Sequence, residues 1–249
     1  MRVAALYDIH GNLPALEAVL QDIHEAQVDE IVVGGDVLPG PMPRETLACL
    51  MNLKIPVRFI AGNGEREALA LLAGTEGTGN IPERFRETIR WTGQQLQPEF
   101  DQWVATWPKT LRVEIQGLGV VLFCHATPRD DNEIFTRLTA EDRLLPVFAG
   151  LDVSLVVCGH THMQFDRTVG RIRVVNAGSV GMPFGEPGAD WLLLGPEVQF
   201  RHTTYDLTKA ADRIRDTAYP QAEEFAARDI LQPYSADEML EYFTRAELK

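Results

Sequence analysis

The chain is poor in cysteine and in positive charge. Only three of its 249 residues are cysteine, and Cys49, Cys124 and Cys158 form an odd, scattered set. A secreted disulfide framework uses an even number at close spacing, so none is expected here. Cys124 and Cys158 close apolar runs and read as small buried hydrophobes. Lys and Arg number 23 against 36 Asp and Glu, a formal charge of −13. Such a balance excludes a broad nucleic-acid or anionic-lipid surface, because both need a basic excess. No apolar stretch approaches the ~20 residues that span a bilayer. The opening run Arg2-Val3-Ala4-Ala5-Leu6 is too short for a signal-peptide core. The expectation is a soluble, cytoplasmic protein without a membrane partner.

Hydrophobic residues at 45% and charged residues at 24% are ordinary globular usage. The first part of the chain alternates short β-branched runs with helical spacing. Val3–Tyr7, Ile31–Val33 and Val57–Ile60 read as strands. Leu13–Gln27 and Arg44–Asn52 read as helices, the first with Pro14 in its opening turn. That alternation implies a largely parallel sheet with helices packed on it. Helices are expected at Glu65–Leu72, Glu83–Gln97 and Phe100–Trp107, with a loop over Gly74–Asn80. Strands then dominate, at Thr110–Ile115, Val120–Cys124, Val153–Cys158, Gln164–Val169, Ile172–Val175, Trp191–Leu194 and Val198–His202. One helix, Thr139–Ala149, interrupts them, and a helical tail follows Leu207. The partition is a domain over 1–205, with a helical insert at about 64–108, and a C-terminal helical extension over 206–249. The extension carries no chemical motif and is expected to be dispensable for chemistry.

Several strand candidates run into residues that bind metals. Val3–Tyr7 leads to Asp8 and His10, Ile31–Val33 to Asp36, and Val57–Ile60 to Asn63. Val120–Cys124 delivers His125, and Val153–Cys158 delivers His160 and His162. In α/β sheets, ligands bind beyond the carboxyl ends of the strands. Two Asp, one Asn and four His suit Mn, Fe, Zn, Co or Ni. They are too many for one tetrahedral ion and about enough for two ions sharing a carboxylate. Two divalent ions would make a strong local attractor for phosphate in an otherwise acidic protein. They also supply an ionised water and a clamp on phosphoryl oxygens.

Asp8-Ile9-His10-Gly11-Asn12, Gly35-Asp36, Gly62-Asn63, His125 and Gly159-His160-Thr161-His162 resemble, in order and spacing, the signature blocks of the calcineurin-like metallophosphoesterases. Val175-Asn176-Ala177-Gly178-Ser179-Val180-Gly181 resembles the closing block of the small prokaryotic phosphodiesterase branch. The resemblance spans roughly Met1 to Leu194. It implies an α/β protein (α+β by some schemes) built as a four-layer αββα sandwich with two mixed sheets. It also implies two divalent ions, manganese foremost. Asp8, His10 and His162 would hold one ion; Asn63, His125 and His160 the other; Asp36 would bridge. A bridging hydroxide would attack phosphorus, with Asp36, Asn63 and His125 as the catalytic residues. The family's usual Gly-Asn-His-Asp/Glu block reads Gly62-Asn63-Gly64-Glu65, so the His thought to assist the leaving group is absent.

Asn12 and Arg129 are candidate substrate contacts, although a loop Arg is as often simply solvated. Glu65 and Arg66 are candidate polar neighbours of the reacting centre. Trp91, Trp103 and Trp107 read as helix-packing anchors rather than a cleft lining. The expected activity is hydrolysis of a small or nucleotide-like phosphodiester. The alternatives are a phosphomonoesterase, or a protein-binding scaffold such as the retromer subunit that resembles this fold. A homo-oligomer is left open.

Overall fold

Short apolar strands and amphipathic helices succeed one another along the chain. The computed structural model describes residues 1–75 and 83–248; positions 76–80 of the expected loop and Lys249 of the tail lie outside them. The first half contains β1 (Val3–Leu6), α1 (Leu13–Glu25), β2 (Glu30–Val33), α2 (Pro43–Met51) and β3 (Val57–Phe59). Three helices follow: α3 (Asn63–Leu72), α4 (Glu83–Gln95) and α5 (Pro98–Val104). Next come β4 (Thr110–Ile115), β5 (Gly119–Cys124), α6 (Glu141–Phe148), β6 (Leu155–Cys158), β7 (Phe165–Val169) and β8 (Ile172–Asn176). The strands end with β9 (Ala189–Leu194) and β10 (Val198–Thr203). The tail holds α7 (Leu207–Arg215), α8 (Ala222–Phe225), a π-helical turn (Ala226–Leu231) and α9 (Ala236–Thr244).

Strand alternation explains the layering. Side chains on successive strand residues point to opposite faces. Ala4 and Leu6 of β1 therefore pack with Leu16 and Val19 of α1 and Leu47 and Leu50 of α2. Val3, Ala5 and the following Tyr7 turn the other way, against Val121 and Phe123 of β5 and Leu155 and Val157 of β6. The outer face of that second sheet gives Leu122, Cys124, Val156 and Val174 to a third cluster, closed by Leu144, Val147 and Phe148 of α6. The stack is helix, sheet, sheet, helix.

The first sheet has the order β10-β9-β1-β2-β3 and the second β4-β5-β6-β8-β7. β1, β2 and β3 are parallel, as are β5, β6 and β8; β9, β10, β4 and β7 run antiparallel to their neighbours. Both sheets are thus mixed, and the single largely parallel sheet suggested by the early alternation covers only the centre of each. The parallel strands of both sheets carry their carboxyl ends to one edge, where the chain must turn.

The tail is not an appendage. Ala210, Ala211, Ile214, Tyr219, Phe225, Ala226 and Ile230 form a fourth cluster, with Trp91 of α4 and Met182 packed against it. Arg213 Nη1 pairs with Glu17 of α1 at 2.6 Å. At the far end, Glu247 accepts from Thr139 Oγ1 at 2.6 Å and Leu248 N donates to Ile134 O at 2.9 Å.

Candidate metal centre

The turns after β1, β2 and β6 force the backbone into an uncommon region. Asp8, His10, Asp36, His160 and His162 all have positive φ, between 48° and 66°. Among the described non-glycine residues only Gln27 and Leu248 share that state without being candidate ligands. Non-glycine residues at positive φ cost free energy and persist where the surroundings fix them, often at functional sites. Here those turns swing carboxylate and imidazole groups back over the strand ends.

A hydrogen-bonded frame holds the turns. His10 N donates to Asp36 O at 2.9 Å and Gly11 N to Val37 O at 2.8 Å. Val180 N reaches Tyr7 O, and both Gly181 N and Ser179 Oγ reach Asp8 O. Asn176 Nδ2 donates to Gly159 O at 2.6 Å and Thr161 Oγ1 at 3.1 Å. The block Val175–Gly181 is therefore a strut beneath the turns of Asp8 and His160. Glu65 is a second clamp: its carboxylate accepts from Asp36 N, Leu38 N and Gly62 N at 2.8 to 2.9 Å. Burial and the nearby Asp36 push the Glu65 carboxyl up to about 7, against the pull of those donors.

The seven residues expected as ligands come together in one place. Ligand atoms of Asp8, His10 and His162 lie within 4.8 Å of one another, as do those of Asp36, His125 and His160. Asn63 Oδ1 joins the second group, 3.1 Å from His125 Nε2. Asp36 lies between the groups, with Oδ2 3.8 Å from His10 Nε2 and Oδ1 3.5 Å from His125 Nε2.

Cations fit this arrangement on two counts. Asp8 Oδ1 is buried without a hydrogen-bond donor. It lies 3.3 to 3.9 Å from the Nε2 atoms of His162, His125 and His10. The imidazoles are also aimed. Nδ1 of His10, His125 and His162 faces the carbonyl oxygens of Pro39, Gly34 and Met182, respectively. Donating there leaves each Nε2 with its lone pair outward, the form that binds metal. Nε2 of His10 and Nε2 of His162 then face each other at 3.2 Å, lone pair to lone pair, which a cation between them resolves. The charges agree. Burial opposes charge on His125, yet Asp36 and Asp8 push it up to about 10. Burial likewise works to raise the Asp36 carboxyl, but His125, His10 and His160 hold it well below the usual carboxylate range. Burial, with His125 beside it, brings His160 down to about 4.

Residues 1–195 match the family model of the calcineurin-like phosphoesterase superfamily domain. The chain belongs to that family. Its sequence is 27% identical over 239 residues to an uncharacterized protein of Methanocaldococcus jannaschii, covering 88% of this chain and 94% of that one. The fold resembles the crystal structure of a hypothetical protein from Pyrococcus horikoshii OT3, with a TM-score of 0.77 and 23% identity, covering 94% of this chain and 99% of the other. It also resembles a metallophosphoesterase from Sphaerobacter thermophilus, with a TM-score of 0.69 and 26% identity over 91% and 99% of the two chains.

Against the family pattern, the glycine at position 64 has a local cause. Gly64 N donates to Asp36 Oδ1 at 2.7 Å, so the first turn of α3 closes onto the shared carboxylate. A Cβ at Gly64 would lie 2.0 Å from Leu38 O. No side chain fits there while the turn stays closed.

The two expected substrate contacts have other partners in the structure. Asn12 is fully buried; its Oδ1 caps α1 by accepting from Ala15 N at 3.1 Å, and its Nδ2 donates to Gly181 O at 2.8 Å. Both ends are committed to the fold. Arg129 is exposed, and its guanidinium forks onto Glu133. Arg66, weighed as a neighbour of the reacting centre, grips Asp131 through two bonds of 2.9 Å. Trp103 and Trp107 pack on Phe59, and Trp91 on Tyr219. The carbonyls of Pro39, Gly34 and Met182 escaped the sequence reading, because a backbone contact leaves no residue-type signal. Phe184, which stacks on His162 with centroids 5.4 Å apart, also carried no motif.

Proposed function

We propose that this chain is a two-metal phosphoesterase that hydrolyses small or nucleotide-like phosphodiesters. The observation that supports it is the pair of ligand groups with Asp36 between them and Asp8 Oδ1 unpaired. Two divalent ions there would supply a water ionised near neutral pH and positive charge for phosphoryl oxygens. The mixed oxygen and imidazole donors suit Mn, Fe, Co, Ni or Zn, with Mn foremost.

The chain's own part is positioning. Asp8, His10 and His162 would hold one ion, and Asn63, His125 and His160 the other, with Asp36 shared. The carbonyl contacts at Nδ1 fix three of those rings before any ion arrives. The first turn of α3 aims the Gly64 N–H at the shared carboxylate and favours negative charge there. Position 64 offers no proton donor, so departure of a basic alkoxide lacks help from it. General acid assistance is worth ~10²–10⁴ in rate, so esters with acidic leaving groups are preferred.

The test is reconstitution with each divalent metal, followed by turnover of mono- and diesters graded by leaving-group pKa. A steep dependence on that pKa supports the reading. Metal-loaded protein that turns over none of them would favour the scaffold alternative. A higher kcat/KM for monoesters than for matched diesters would favour the phosphomonoesterase.

A further inference from the structure

His125 and His162 are held in different ways. Gly35 and Gly62 press so closely on His125 that a Cβ on either would lie 2.8 or 2.9 Å from its Nδ1. For His162, the bond from Nδ1 to Met182 O at 2.9 Å fixes one point of the ring. One point does not fix a plane, because the torsion that turns an imidazole about its Cβ–Cγ bond has a broad minimum. The plane sets where Nε2 points: toward Asp8 Oδ1 at 3.3 Å and His10 Nε2 at 3.2 Å. Phe184 supplies that plane. Its ring lies 19° from parallel with the His162 ring, centroids 5.4 Å apart, as an offset stack. Phe184 N also donates to His162 O at 3.4 Å. The ring pairs His10–His162 and His125–His160, by contrast, are tilted or edge-on. Behind Phe184 stands the tail. Phe243 of α9 packs on it with centroids 6.1 Å apart, and Gly185 N donates to Tyr234 O at 2.9 Å. α9 is itself anchored at both ends. Ser235 and Glu238 cap its start reciprocally, and past its end Glu247 and Leu248 are pinned to residues 134–139.

Resting on the two-metal reading, we propose that Phe184 is a positioning residue for the metal ligand His162: its ring, backed by Phe243 of the tail, fixes the plane of the imidazole so that Nε2 is aimed at the ion held with Asp8 and His10. A site keeps its geometry when the contacts behind its ligands lock them in place. A ring free to pivot must be reoriented on binding, and that ordering is lost from the affinity. Leucine at position 184 would fill much of the space but offer no flat face. Through these two rings the last helix becomes part of the metal centre, although it carries no ligand.

The test strips the full-length protein of metal and titrates it with Mn²⁺ by calorimetry. Phe184→Leu should weaken one class of site about 10- to 100-fold, the usual cost of removing a contact behind a ligand. That class is the one His10→Gln abolishes. The class that His125→Gln abolishes should keep its wild-type affinity. Phe184→Tyr retains a flat ring and should restore the weakened class. Phe243→Leu should weaken the same class by a smaller factor, and it carries the comparison if Phe184→Leu does not fold. A general loss of stability would move both classes together. Equal losses at both, no loss at either, or a tyrosine variant as weak as the leucine variant overturns the proposal. The metal-free protein gives a second readout, the nitrogen NMR spectrum of the His162 ring, assigned with His162→Gln. Wild type should show one tautomer with its proton on Nδ1, and Phe184→Leu a mixture of the two. The same single tautomer in both proteins counts against the proposal. Wild-type protein that takes up no Mn²⁺ overturns the two-metal reading instead; the ring spectra then still decide the role of Phe184.

Discussion

Gly64→Ala probes the close packing beside Asp36. The added methyl would sit 2.0 Å from Leu38 O and 2.9 Å from Asp36 Oδ1. Carbon and carbonyl oxygen rest near ~3.3 Å, so α3 or the Leu38 segment must move by roughly 1 Å. Either shift stretches the 2.7 Å bond from Gly64 N to Asp36 Oδ1 and pulls on the Glu65 clamp. Overpacking costs about 1–3 kcal/mol. Losing a hydrogen bond to a charged group costs about 1.5–3 kcal/mol, and the two overlap because one movement relieves both. A net loss of about 2–4 kcal/mol corresponds to roughly 5–15 °C in Tm for a chain of this size. Asp36 loses its orienting donor, so metal affinity should fall about 10- to 100-fold. Thermal unfolding in chelator gives the first number and metal titration the second. Unchanged Tm together with unchanged affinity would refute the reasoning, by showing that the turn opens at no cost. The same clash means that Gly64→His cannot restore the family's usual side chain in place; it is expected to lose metal rather than flatten the leaving-group dependence.

Asn12→Ala removes the α1 cap and the bond to Gly181 O; stability should fall by about 1–3 kcal/mol, while KM in the reconstituted enzyme stays near wild type. A large KM change at preserved Tm would reinstate Asn12 as a substrate contact. Truncation after Tyr205 strips the cluster against which Met182 packs, and Met182 O orients His162. The truncated chain should lose stability and bind metal more weakly, contrary to the dispensable tail expected from motif position alone; a folded truncation with wild-type metal affinity would restore that expectation. The Glu65 carboxyl is raised from 4.5 to about 7, so the protonated form favours the fold. Its contribution is full below about 4.5 and is lost as pH rises through about 7. Denaturation of metal-free protein across that window should show a decline that Glu65→Gln reduces, and an equal slope in both proteins would contradict the assignment.

The candidate ligands were legible because each requirement leaves a residue type. A strand that must end at a metal reads as an apolar run followed by Asp, His or Asn, as at Tyr7-Asp8 and Cys158-Gly159-His160. The central parallel strands were legible for the same reason, as short β-branched runs between helical periods. The order of blocks was also readable, since strand ends converge in any α/β arrangement. The sequence by itself therefore determined the candidate ligand residues, that their number suits two ions, and that position 64 carries no side chain.

The tertiary structure decided the rest, because it depends on atoms that no residue letter encodes. The Nδ1 atoms of His10, His125 and His162 are aimed by backbone carbonyls, which every residue possesses. Asn12 lies in a signature block yet spends its amide on a helix cap and Gly181, a choice set by how closely two turns approach. Only the closed turn shows that position 64 has no room, since Leu38 O comes from 26 residues away in the chain. The tail carries no motif, and its amphipathic spacing could have served solvent, a partner or the domain. Packing on Trp91 and Met182 buried its apolar face, because covering that surface outweighs leaving it in water.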